Sequence, residues 1–227
     1  MLHILGNATY RNLFSAQLLS LLGTGLATVA LGLLAFDLAG DNAGAVLGTA
    51  LAIKMIAYVS LSPLATVLSE HLPRKTMLVA LDLVRASFVL FLPFVTETWQ
   101  VYLLVFGLQA ASAVFTPTFQ ATIPEILTDE KDYTRALSLS RLAYDLESLV
   151  SPAIAAALLL VMEFHFLFAG TAAGFCLSGI LVATAAVPNP KAKIRRKFFE
   201  QFLRGSRLYL ATPRLRGLMG INLAVSA

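Results

Sequence analysis

The chain has 227 residues, of which 58% are hydrophobic and only 13% charged, and its mean hydropathy is +0.78. A soluble domain carries about a quarter charged residues, so this depletion excludes an ordinary soluble fold and marks a membrane protein. Cys176 is the sole cysteine, which rules out an internal disulfide or a cysteine-based zinc cluster, and the N-terminus carries no pattern of a cleavable signal.

A spanning helix needs about 20 apolar residues to cross a ~30 Å hydrocarbon core. Six runs meet that length, at about 13–38, 43–68, 76–94, 99–120, 136–162 and 164–187. The predicted fold is all-α: a polytopic bundle of six transmembrane helices over residues 1–187. Short turns at 39–42, at 95–98 and at Glu163 force antiparallel neighbours. A basic segment, 188–213, follows. It opens on Pro188 and Pro190, and its Phe198, Phe199, Phe202 and Leu203 alternate with Arg and Glu at near-helical spacing. It reads as an amphipathic cytoplasmic connector, either lying on the anionic inner leaflet or solvated. Residues 214–227 read as the start of a seventh span, too short to cross alone.

Charge sets the orientation. Arg11, Arg74, Lys75, Lys131, Arg135, Arg141 and the basic connector all fall on one side, whereas the opposite turns hold Asp37, Asp41, Glu97 and Glu163. Lys and Arg are retained on the cytoplasmic side, so both ends are expected there.

Charged groups at membrane depth need a partner or a watery cavity. Lys54 lies near the middle of the second run. It fits either a cavity group that binds an anion or a member of a buried ion pair. Asp82 and Arg85 share a face three residues apart and read first as a local pair anchoring the adjacent basic turn, and otherwise as candidate intramembrane coupling or substrate residues. Arg141 and Asp145 share a face of the fifth run, while Glu147 points elsewhere. Asp145 and Glu147 are the candidate carboxylates for proton coupling; the plainer reading has Asp145 neutralised by Arg141. No phosphate loop, HExxH pair or GxSxG elbow supports an ATPase or a hydrolase, and no cofactor, metal or nucleic-acid partner is expected.

The turn after the second run, Thr66 to Lys75, resembles the Gly-x-x-x-Asp-Arg-x-Gly-Arg-Arg loop of the major facilitator superfamily. Glu70 falls on the acid, Arg74 and Lys75 on the final basic pair, and Thr66, His71 and Pro73 replace Gly, Arg and Gly. The stretches from Ser62 to Ala65, Asp82 to Ala86, Phe115 to Gln120 with Pro124 and Glu125, Arg135 to Ser138 and Gly205 to Arg216 resemble the branch of macrolide, multidrug and siderophore exporters. Ser151 and Pro152, followed by Ala155 and Ala156, are similar to that branch's Gly-Pro-x-x-Gly-Gly motif in span five, and so are hinge-like candidates.

The resemblance implies the N-terminal half of a twelve-helix transporter, with a missing C-terminal six-helix half as partner and the chain as a fragment that does not transport alone. It implies a multi-pass cell-membrane location (the inner membrane in a bacterium) and a small-molecule substrate exported in exchange for protons across the lipid bilayer. Glu70, Arg74 and Lys75 would form a cytoplasmic gating latch, and the substrate would sit at the midplane between halves. Import of a sugar, peptide or anion, and a non-transporting membrane scaffold, remain as rival readings.

Overall fold

The computed structural model describes residues 2–188, apart from the side chains of Leu2 and of Pro63, Thr66, Val67, Ser69, Glu70 and His71. The connector and the start of a seventh span expected from the sequence lie outside the described residues, as does the Glu70 side chain.

Six α-helices follow one another: α1 Ala8–Ala39, α2 Ala43–His71, α3 Arg74–Phe91, α4 Thr98–Ile126, α5 Glu130–Leu159 and α6 His165–Thr184. Each is long and apolar enough to belong to a spanning segment. The first such segment, Ala8–Ser62, covers 55 residues, ~80 Å if it ran straight at 1.5 Å per residue and more than twice the hydrocarbon core. It is divided by a 3-10 turn at Gly40–Asn42, where Gly40 has φ 50°, a backbone conformation that an L side chain resists. Glycine at that point turns one run into two antiparallel helices. The chain is thus a multi-pass membrane protein, and no strand occurs among the described residues.

Several helices extend beyond their apolar runs, and their caps explain where they stop. Asn7 accepts from the backbone N–H groups of Thr9 and Tyr10 and so starts α1 before the run at residue 13. Asp129 does the same for α5 through Lys131 and Asp132. Glu97 and Gln100 form a reciprocal capping box at α4. These contacts satisfy N–H donors that a helix start leaves without partners. Pro117 and Pro124 lie inside α4 and Pro152 inside α5 without ending either helix, as membrane helices allow when neighbouring groups re-satisfy the backbone.

Lipid chains are as apolar as leucine, so burial in lipid does not drive these helices together; close packing does. Small residues set the closest approaches. α1 and α6 meet where a Cβ on Gly23 would come within 3.1 Å of the Thr171 carbonyl oxygen, and one on Gly174 within 2.9 Å of the Leu19 carbonyl oxygen. At this crossing the Thr171 hydroxyl donates to the Gly23 carbonyl at 2.9 Å. α1 and α5 meet at Gly25, whose missing side chain makes room for Ser151 and Glu147. α2 packs along α4, and α3 lies against both α4 and α6.

The packed side chains form two apolar layers. One gathers Leu34, Val89, Leu92, Val101, Val105, Leu167 and Phe168; the other gathers Tyr10, Leu13, Leu78, Phe119, Ile123, Leu139 and Val182. Between them along the helices fall the buried polar residues Gln17, Ser20, Asp82, Arg85 and Ser178. That polar middle is where the candidate site lies.

Candidate functional site in the polar layer

A cavity of about 160 Å³ opens in this layer. Five helices build it, all but α3 through residues at helical spacing. α1 supplies Gln17, Ser20 and Thr24; α2 supplies Lys54 and Tyr58; α3 supplies Arg85. α4 adds Gln109, Ser112, Phe115, Thr116 and Phe119, and α5 adds Tyr144 and Glu147. Lys54 and Glu147 are both half-buried. Neither forms an ion pair among the described residues.

Arg85 is 3% exposed and Asp82 is wholly buried. Their side chains pair directly. The second Asp82 oxygen accepts from the Ser178 hydroxyl at 2.8 Å, which ties α3 to α6. The Arg85 guanidinium carbon sits 3.9 Å from the Phe115 ring centroid and 4.4 Å from that of Phe175, so two aromatic faces hold a desolvated cation. Its Nε has no hydrogen-bond partner among the described residues. The sequence suggested a pair anchoring the basic turn. The pair forms in the bundle interior, with Arg85 on the cavity wall and Asp82 behind it.

The other candidates lie elsewhere. Arg141 and Asp145 approach to 3.4 Å with side chains 80% and 59% exposed, on a face of α5 that also exposes Leu142, Leu146 and Leu149. Asp145 is therefore apart from Glu147, as the two-residue spacing requires. Ser151 is buried against Gly25, its hydroxyl oxygen without a partner among the described residues, and Pro152 beside it is exposed. Arg74, at the start of α3, bridges to Glu125 of α4 at 3.0 Å and donates to the Ala121 carbonyl. Lys75 follows it in the same turn. Arg74 thus fastens two helices at the end of the bundle, at a distance in sequence and space from the cavity stripe.

The neutral polar residues of the cavity were not foreseen. Their signal was present as Gln17, Ser20 and Thr24, and as Gln109, Ser112 and Thr116. Both sets fall at i, i+3 and i+7 on otherwise apolar helices.

A bundle of membrane-spanning helices around a charged polar cavity defines a class of membrane protein with a water-accessible interior. The sequence profile of the Major Facilitator Superfamily matches residues 13–227, and the chain belongs to that family. Among curated relatives, it is 28% identical over 124 residues to the uncharacterized MFS-type transporter YfiS of Bacillus subtilis, covering 55% of this chain and 30% of that protein. It is 28% identical over 149 residues to Macrolide efflux protein A of Streptococcus pyogenes, covering 63% of this chain and 36% of the relative. With Macrolide efflux protein A of Enterococcus faecalis the identity is 27% over 153 residues, covering 63% and 47%. The chain spans about a third to a half of the length of these relatives.

Proposed function

We propose that this chain works as one six-helix half of a secondary transporter that exports amphipathic small molecules, such as drugs, macrolides or siderophore-like compounds, in exchange for protons. The observation that carries the reading is Glu147: a half-buried carboxylate on the wall of a five-helix polar cavity. A carboxylate at membrane depth that is not fixed in an ion pair is free to alternate between charged and protonated forms, which proton exchange needs. Asp145 lacks that setting, since Arg141 neutralises it away from the cavity. The names of the macrolide efflux relatives support the substrate class.

The partner in this reading is a second six-helix bundle, and rocking of one bundle against the other opens the cavity to each side in turn. The exposed Arg141–Asp145 pair supports it. It shares its exposed face of α5 with Leu142, Leu146 and Leu149, where an ion pair left facing lipid is costly. A polar surface of another bundle relieves that cost. Glu70, Arg74 and Lys75 act as the cytoplasmic latch, and the Arg74–Glu125 bridge holds the α3 and α4 ends rigid beneath it. Both chain ends face the cytoplasm, and in a bacterium the membrane is the inner one.

The test is flux in proteoliposomes. The chain is reconstituted alone and joined to the C-terminal half of a macrolide efflux relative, with a panel of macrolides, lipophilic cations and siderophores. An imposed pH gradient drives flux of a panel member in the joined form, and Glu147→Gln abolishes it. The chain alone gives none. Gradient-driven flux by the chain alone overturns the two-bundle arrangement, and undiminished flux in Glu147→Gln overturns the exchange role.

A further inference from the structure

Two charges on the cavity wall have opposite sign and do not meet in a direct ion pair. Lys54 projects from α2 and Glu147 from α5, two helices that each pack against α1. They stand beyond ion-pair distance of one another, and neither forms an ion pair with any other described residue. The remaining ionisable groups of the lining leave the balance unchanged. Arg85 is matched by Asp82 behind it; α2 and α5 add the phenol groups of Tyr58 and Tyr144; α1 and α4 contribute no ionisable side chain. With Lys54 and Glu147 charged, the cavity therefore sums to zero while holding a positive and a negative pole.

We propose that the cavity is built for a zwitterion: an amphipathic molecule whose ammonium group pairs with Glu147 and whose anionic group pairs with Lys54. A singly charged cation at Glu147 meets the repulsion of Lys54, and a singly charged anion at Lys54 meets that of Glu147. A molecule carrying both charges satisfies both poles at once and removes two uncompensated charges from membrane depth. The inference rests on the cavity being the substrate site and adds the substrate's charge pattern.

The experiment uses the 227-residue chain in lipid nanodiscs and three ligands built on one naphthyl ring. Naphthylalanine is the zwitterion, its methyl ester the cation and its N-acetyl derivative the anion. Isothermal titration should show the zwitterion binding about tenfold more tightly than either relative, the ratio that a contact worth ~1.4 kcal/mol gives. Lys54→Gln should bring the cation level with the zwitterion, and Glu147→Gln should do so for the anion. These opposite shifts distinguish a lost contact from a lost fold, which circular dichroism checks in parallel. The exchanged variant Lys54→Glu with Glu147→Lys keeps one pole of each sign and should retain the zwitterion preference. Equal binding of the three, preference for the ester or the acetyl compound, or no binding of any overturns the proposal. Proton-driven flux bears on the transport reading separately. Zwitterion binding without exchange sinks that reading and keeps this one, whereas exchange accompanied by a preference for the ester or the acetyl compound does the reverse.

Discussion

Arg85 shows how a cation survives in the interior of a membrane bundle. Asp82 neutralises it, Ser178 fixes the second carboxylate oxygen, and Phe115 and Phe175 cover its faces. Removing one member of a buried pair strands the other, at a cost of about 3–5 kcal/mol, whereas removing both is far milder. Asp82→Asn should therefore lower stability by that order in a reversible unfolding titration of the purified chain. Asp82→Asn combined with Arg85→Met should recover most of the loss. A near-neutral Asp82→Asn would mean that the carboxylate is not what holds Arg85. In the sequence, the i, i+3 spacing made the pair visible, but not its direction. Which way a polar face turns depends on neighbours, here the ring of Phe175 and the hydroxyl of Ser178, that lie about 90 residues away along the chain.

At the scale of the helices, packing is set by residues that contribute no side chain. Gly25 is the sharpest case, since a Cβ there would collide with Ser151 and lie 2.6 Å from a Glu147 carboxylate oxygen. Gly32, two turns further along α1, has nothing within 4 Å of that position. Gly25→Ala should cost about 1–3 kcal/mol by forcing α1 and α5 apart. Gly32→Ala should be neutral or stabilise by about 0.5–1 kcal/mol, because alanine is the better helix residue. Thermal unfolding midpoints in the same detergent check the contrast, and equal shifts would mean that α1 and α5 do not meet at Gly25.

The six helices were legible from hydropathy because the bilayer demands long apolar runs. Their ends were not. Ala121–Ile126 of α4 and the start of α5 are polar enough to drop out of any apolar window, although Asp129 before Glu130 and Lys131 is a capping signal that marks the α5 start. The charged cavity residues stood out singly against an apolar background. Their convergence depended on helix rotation, which the polar stripes of α1 and α4 record only when read by helical period.

For the molecule as a whole, orientation follows from where Lys and Arg gather. In a background with Cys176 replaced, Asp41→Cys and Glu97→Cys should react with a membrane-impermeant thiol reagent added outside intact cells. Lys131→Cys and Lys193→Cys should react only after the membrane is opened. The reverse pattern would invert the bundle and move the Arg74–Glu125 clamp to the outer face.

In the proposed exchange, ligand and proton compete at Glu147 on the cavity wall. Ligand-induced proton release tests it most directly, because one bundle suffices and no flux is required. The purified chain is held in weakly buffered solution with a pH-indicating dye, and binding members of the macrolide, lipophilic-cation and siderophore panel are added. Release of up to about one proton per bound ligand is expected at a pH where Glu147 is protonated, with no release from Glu147→Gln under conditions where that variant still binds. Binding without release from the unaltered chain across the accessible pH range, or undiminished release from Glu147→Gln, would contradict it.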